Sequence, residues 1–400
     1  MGWFEVDKKG LRALVADRPK GFILRELLQN AWDEPGVTKV EVFTSQSAGM
    51  AVIEVIDDAP EGFYDLSHAF TFFADTRKRK DPTKRGRFNA GEKEVLALAE
   101  SAQITTTKGG FIFLKDGTRK KTRQAREAGS AIGLKVKMNK QEYKQMLAEV
   151  KTYLPPKNIL TIVNGEELWP REPYCSIMAK LPTEFLNEEG ILRKTVRLAA
   201  IDVHKVKDGE TAMLYEMGLP VCETGDQYHY DIQQRVPLDH KRDNVPASFL
   251  RAVRGEVANV VIYEVEEEEA SANWVRDAMS SNRVNKQAVT EALTKRLGRN
   301  LAVPTPGDQD SQVLAQLNGY RMVRPSELSK EEWENARKAG CIPATTQLFP
   351  PENREEVVLV NYKQVAERAV KLLLNMEVYT DEVRAFMNWL NGLRWDERTN

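Results

Sequence analysis

Residues 20–34 constrain the chain most. Phe22, Ile23, Leu27, Leu28 and Ala31 recur there at helical spacing, and Pro35-Gly36 stops the run. Two β-rich runs follow at once, Lys39–Thr44 and Met50–Ile56, alternating or almost wholly apolar. A glycine-containing, strongly charged stretch over 75–91 leads into a second helix at Glu92–Glu100. Strands are then expected near Gln103–Thr107, Phe111–Leu114 and Ile132–Met138. Helix, strand pair, loop, helix and strands form an α+β layer pattern rather than a regular βαβ repeat.

The 400 residues exceed what one hydrophobic core usually organises, so two or three domains are expected. Pro155-Pro156 punctuates the chain, and Asn158–Trp169 reads as a strand pair around Asn164-Gly165, a hairpin signal. A second αβ region runs from about 175 to 265 and ends in Glu264 and the run Glu266–Glu269, a solvated junction. The rest is helix-leaning, broken by loops at Pro304-Thr305-Pro306-Gly307 and Pro350-Pro351. The expected boundaries are 1–172, 173–265 and 270–400.

A formal net charge of −1 means that the overall balance demands no polyanionic partner. Cys175, Cys222 and Cys341 lie far apart without metal-ligand spacing, which argues for a reducing compartment, the cytoplasm by default. No apolar run is long enough to suggest a membrane span, and the N-terminus lacks a signal-peptide pattern.

Three features carry chemistry. Glu26, Asn30 and Asp33 stand at i, i+4 and i+7, so they share one helical face beside the apolar stripe. Taken alone, that is also how an ordinary exposed polar face looks. The buried strand Met50–Ile56 ends in Asp57-Asp58, where a carboxylate can accept a hydrogen bond from a ligand amine in a dry pocket. A simple Asp-Pro-Gly turn reads the same way. Gly86-Arg87-Phe88-Asn89-Ala90-Gly91 stands directly before a helix beginning Glu92-Lys93, where backbone N–H groups can approach phosphate oxygens.

Together, in this order and spacing, they resemble the Bergerat-type (GHKL) ATPases: gyrase, the ninety-kilodalton heat-shock chaperones, histidine kinases and MutL. Leu24–Glu34 looks like that family's N box. The resemblance implies an α/β sandwich binding ATP and Mg²⁺, with Glu26 polarising the attacking water, Asn30 coordinating Mg²⁺ and Asp33 supporting the pocket. Asp57 falls where adenine is received, Gly62 in the following glycine box, and Gly86, Asn89, Ala90, Gly91 and Lys93 in the lid that cradles phosphates. Further on, the chaperone branch is the nearest match. Gly129-Ser130-Ala131-Ile132 is similar to its strand whose hydroxyl supports the aspartate, a place taken by Ser130. Val236–Asp243 is similar to its catalytic loop, which makes Arg242, assisted by Lys241, the γ-phosphate contact from a transducer-like second domain.

The resemblance spans about residues 20–265. Ala59 departs from it where the first glycine of the adenine box belongs, Gly62 arrives one residue late, and Asn89 stands for the lid's middle glycine. The resemblance also implies an ATP-gated homodimer. The client stays open between a protein, for a chaperone-like clamp, and nucleic acid, for a gyrase- or MutL-like ATPase; a nucleotide sensor with little turnover is a third reading. Two basic runs bear on that choice, Arg77–Lys80 with Lys84, Arg85 and Arg87, and Arg119–Lys121 with Arg123 and Arg126. Either reads equally as a solvated charged loop.

Overall fold

In the computed structural model the stripe of residues 20–34 becomes α2 (Gly21–Trp32), preceded by α1 (Lys8–Val15). The structure describes residues 6–63, 65–74, 81–86, 89–187, 189, 191–238, 244–353, 359–360, 385, 389 and 394–395. α2 buries Phe22, Ile23, Leu24, Leu27, Leu28 and Trp32 in one cluster with Val40, Val42, Ile53, Val55, Ile104 and Leu134. Burying a Leu, Ile or Phe side chain stabilises by about 1.5–3 kcal/mol, so this face fixes where the helix must lie.

The strands under it are β1 (Lys39–Ser47), β2 (Met50–Asp57), β3 (Ala99–Thr106), β4 (Gly109–Phe113), β5 (Arg119–Thr122), β6 (Ala131–Lys137), β7 (Leu160–Val163) and β8 (Glu166–Leu168). They form one sheet in the order β5-β4-β3-β6-β2-β1-β7-β8. β1 and β7 run parallel and every other neighbouring pair is antiparallel, so the sheet is mixed. Two further helices, α3 (Gly91–Leu98) and α4 (Lys140–Val150), contribute to the same core. The α+β sandwich expected from the sequence is therefore present. The β7–β8 turn has Asn164 at φ 51° and Gly165 at φ 85°, the left-handed pair that a two-residue hairpin requires. The helix expected over Glu92–Glu100 stops at Leu98, because Ala99 and Glu100 already belong to β3. Glu100 is held there by Arg12 at 2.9 Å and Lys115 at 3.1 Å.

A second, five-stranded sheet is built from β9 (Cys175–Leu186), β10 (Leu192–Lys205), β11 (Met213–Glu216), β12 (Leu219–Glu223) and β13 (Tyr228–Ile232), in the order β12-β11-β13-β10-β9. The chain divides into two compact units, Met1–Val257 and Ala258–Asn400, so both sheets belong to the first. The division falls inside α5 (Ala247–Val261), ahead of the acidic run Glu266–Glu269. The second unit carries α6 (Asn273–Met279), α7 (Lys286–Leu297), α8 (Gln309–Leu317) and α9 (Lys330–Ala339), with a short parallel pair of Leu301–Ala302 and Arg321–Met322. Trp274 is buried there, in line with a packing role. No helix among the described residues is long and apolar enough to cross a membrane.

Within the first unit the β11–β12 turn joins the two sheets. Met217 (φ 49°) and Gly218 (φ 87°) make it tight, and a Cβ on Gly218 would lie 1.9 Å from the Leu154 carbonyl oxygen. Leu154 N donates to Gly218 O at 2.9 Å, and Gly218 N donates to Asp231 Oδ1 at 2.8 Å. Burial pushes the fully enclosed Asp231 carboxyl up to about 6, against the Gly218 amide, the Gln233 side chain and Arg85, which pull it down. The folded state therefore binds this proton more tightly than the unfolded chain does. That contribution is complete below 3.8 and is lost as pH rises to about 6. Asp231→Asn should flatten the corresponding decline, which urea midpoints measured across this pH range will show.

Candidate functional site

A cavity of about 750 Å³ opens along α2, within the usual range for small-molecule sites. Glu26, Asn30 and Asp33 all line it, as do Gly62, Gly86, Asn89, Ala90 and Gly91. The helical spacing and the glycine-bearing segment thus converge on one space.

Glu26 and Asn30 are half-buried, one turn apart. A Cβ on Gly91 would come 1.8 Å from Glu26 Oε2, so the bare glycine at the start of α3 lets that carboxylate lie against the helix N-terminus. There the macrodipole favours the anion. Asn89 adopts φ 51°, a left-handed backbone that asparagine tolerates. Its amide donates to Thr71 O at 3.2 Å and its Oδ1 accepts from Lys93 Nζ at 2.9 Å. Lys93 also stands 3.6 Å from Glu92 Oε2, is 4% exposed, and is not among the residues that line the cavity. Its ammonium is directed at Asn89 and Glu92.

Asp57 and Ser130 sit beneath the strand end, 6% and 2% exposed, and neither lines the cavity. Asp57 Oδ1 accepts from Ala59 N at 3.0 Å and from Ser130 N at 3.2 Å. The Ser130 amide, rather than its hydroxyl, is what holds the aspartate. Ser130 Oγ is buried without a hydrogen-bond partner among the described residues. Gly62 (φ 59°) closes the turn where a Cβ would meet Thr107 Oγ1 at 2.9 Å. The adjacent Asp58 pins the start of β1 to the end of β2, since its Oδ1 accepts from Thr38 N and Lys39 N at 2.7 and 2.9 Å. Although burial raises its pKa, the Thr38 hydroxyl, which donates to Oδ2 at 2.5 Å, and these two amides hold the carboxyl below its usual range.

Asp33 is a clamp. It is 1% exposed, and it accepts from Arg85 Nη1 and from Gly86 N, each at 2.9 Å. Arg85 also gives Nε and Nη2 to Met217 O at 2.9 and 2.5 Å. Arg235, past β13, donates Nε to Lys84 O at 2.6 Å and Nη2 to Gly86 O at 2.5 Å. The segment 82–86 is thereby gripped from α2 and from the second sheet. That sheet also walls the cavity through Glu216, Leu219, Pro220 and Val221, and Leu238, in the coil beyond β13, joins them. Sequence reading missed this wall; its one local signal was Gly218, since the left-handed backbone at Met217 (φ 49°) is one that its residue type does not announce. Arg85 read as part of a basic run open to phosphate capture, nucleic-acid contact or plain solvation, and not as the partner of Asp33. Arg242, Lys241, His240 and Arg77–Lys80 lie outside the described residues.

No group of three or more His, Cys, Asp or Glu could hold a metal ion among the described residues. Mg²⁺ typically keeps several waters and is bound through one or two carboxylates plus substrate phosphates. A single oxygen donor such as Asn30 therefore fits an ion that arrives with its nucleotide.

No family model and no curated protein matches the sequence. Among solved structures, the ATPase and transducer domains of DNA topoisomerase II from Balamuthia mandrillaris are similar at 13% identity and a TM-score of 0.33, over 49% of this chain and 58% of that one. The ATPase region of Saccharomyces cerevisiae topoisomerase II is similar at 14% identity and a TM-score of 0.33, over 49% and 60%. The N-terminal domain of a DNA repair protein follows at 13% and 0.38, over 60% and 91%. The chain thus spans about three fifths of the two topoisomerase structures. None of the three is a heat-shock chaperone, so they give no support to placing the chain in that branch.

Proposed function

We propose that the chain binds ATP with Mg²⁺ and hydrolyses it, using lid closure and docking of the second sheet to drive a clamp that dimerises on ATP. The supporting observation is the shared cavity of Glu26, Asn30, Gly86, Asn89, Ala90 and Gly91, walled by the second sheet. In this reading Glu26 orients and partly deprotonates the attacking water. Asn30 holds Mg²⁺, which supplies charge stabilisation on the phosphates. Backbone N–H groups at the start of α3 take up phosphate oxygens. Asp57, supported by the Ser130 amide, receives the adenine amino group, which requires the base to reach past Gly62, since Gly62 lines the cavity and Asp57 does not. Arg242 and Lys241 neutralise charge on the transferring phosphoryl group.

Calorimetric titration with ATP, with and without Mg²⁺, tests this reading. Asp57→Asn keeps an Oδ1 acceptor for Ala59 N and Ser130 N but turns the other oxygen into a donor. It should fold normally and lose ATP affinity by roughly tenfold to a hundredfold. ATP binding equal to wild type in that variant would remove Asp57 from the adenine site. A wild-type chain that binds no ATP would leave the fold as a scaffold.

A further inference from the structure

The edge strand β5 carries charge out of proportion to the chain. Lys and Arg number 58 against 59 Asp and Glu overall, yet residues 108–126 hold seven basic residues and one acid. That acid, Asp116, is engaged locally, its Oδ1 accepting from Thr118 N at 2.9 Å and Thr118 Oγ1 at 2.6 Å. Among the described residues β5 pairs in the sheet with β4 alone. Arg119, Lys120 and Lys121 on the strand and Arg123 just beyond it are exposed. Arg119 lies over the Phe70 ring, 3.9 Å from guanidinium carbon to centroid. Lys120, Lys121 and Arg123 form no ion pair among the described residues.

Lysines on a sheet edge also guard it against pairing with another chain. The cations here continue past the strand to Arg123 and Arg126, where no ladder edge needs guarding. Their spacing suits a polyanion. Successive side chains of a strand face opposite ways, so Arg119 and Lys121 lie on one side about 6.6 Å apart, close to the axial rise of two phosphate steps, about 6.8 Å, on one strand of a duplex. No exposed large apolar side chain lies between residues 108 and 126, so the insertion that membrane surfaces reward is missing. No exposed aromatic interleaves the cations either, which removes the stacking platform of a single-strand binder.

We propose that β5 and the segment running to Arg126 form a docking surface for the phosphate backbone of duplex nucleic acid, engaged without reading base sequence. None of these residues lines the nucleotide cavity, so the surface stands or falls apart from the ATPase reading.

The test is fluorescence anisotropy of the full chain with a mixed-sequence DNA duplex over a sodium chloride series, without nucleotide. Log affinity should fall linearly with log salt. Joint Lys120→Gln, Lys121→Gln and Arg123→Gln should reduce that slope by about 2.7, at about 0.9 per lost phosphate contact, and weaken binding roughly a hundredfold near 0.1 M salt. Basal phosphate release should not change. Arg123→Gln alone, outside the ladder, should reduce the slope by about 0.9 and keeps the test valid if the triple variant self-associates. The proposal is overturned if wild type does not bind the duplex, or binds phosphatidylserine vesicles instead. It is equally overturned if the variants keep the wild-type slope. Self-association of the triple variant with an unchanged slope in Arg123→Gln would assign β5 to edge protection.

Discussion

Glu26→Gln is expected to lower steady-state phosphate release from Mg-ATP by roughly 10²–10⁴-fold, the usual contribution of a positioned general base. Glutamine keeps the volume and the helix propensity of the parent but cannot take a proton. The side chain lies against the start of α3, where a Cβ on Gly91 would be 1.8 Å from Oε2. ATP affinity should change little, because the proposed contacts to adenine and phosphates come from other residues. The pair of readouts is decisive: lost turnover with retained binding supports the assignment, whereas unchanged turnover places the base elsewhere. Loss of both would mark Glu26 as part of the binding surface.

The largest effect on stability should come from Arg85→Ala, about 3–5 kcal/mol in urea unfolding, the range for removing one partner of a buried ion pair. Asp33, 1% exposed, would keep only the Gly86 amide, and Met217 O would lose both of its guanidinium donors. Arg85→Lys should recover little, since one ammonium cannot reproduce a fork that grips a carboxylate and a carbonyl at once. Adding Asp33→Asn to Arg85→Ala should restore part of the loss by removing the uncompensated charge. A destabilisation within about 0.5 kcal/mol, typical of surface positions, would refute the clamp.

Much of the first sheet could be read from the chain because its signals are local. The stripe of α2, the alternation of β1 and β2 and the Asn164-Gly165 turn each specify their own geometry over a few residues. The same holds for Glu26, Asn30 and Asp33, whose common face follows from helical spacing, and for Asn89, whose left-handed backbone suits its residue type. What stayed hidden depends on contacts between distant residues. Asp33 was legible as a polar pocket group, but its partner Arg85 comes 52 residues later, and the Met217 carbonyl that Arg85 also grips lies in the second sheet. Leu219, Pro220 and Val221 are apolar residues on a short strand, and only the docking of Gly218 onto Leu154 makes them a cavity wall. Lys93 looked free to meet phosphate, yet Asn89 and Glu92 hold it inside.

The grip of Arg235 on the Lys84 and Gly86 carbonyls also sets a timetable. The two ends of the Lys84 contact are 151 residues apart in the chain. At ribosomal speeds of about 5–20 residues per second, the later end emerges roughly 8–30 seconds after the earlier one. β1 waits in the same way for β7, and Trp32 for Thr161, 129 residues downstream. Throughout that interval the carbonyls of segment 82–86 have water rather than arginine as their partner. The cavity is therefore a late product of synthesis, and a nascent chain that stalls before Glu216 carries the α2 residues without the wall that completes it.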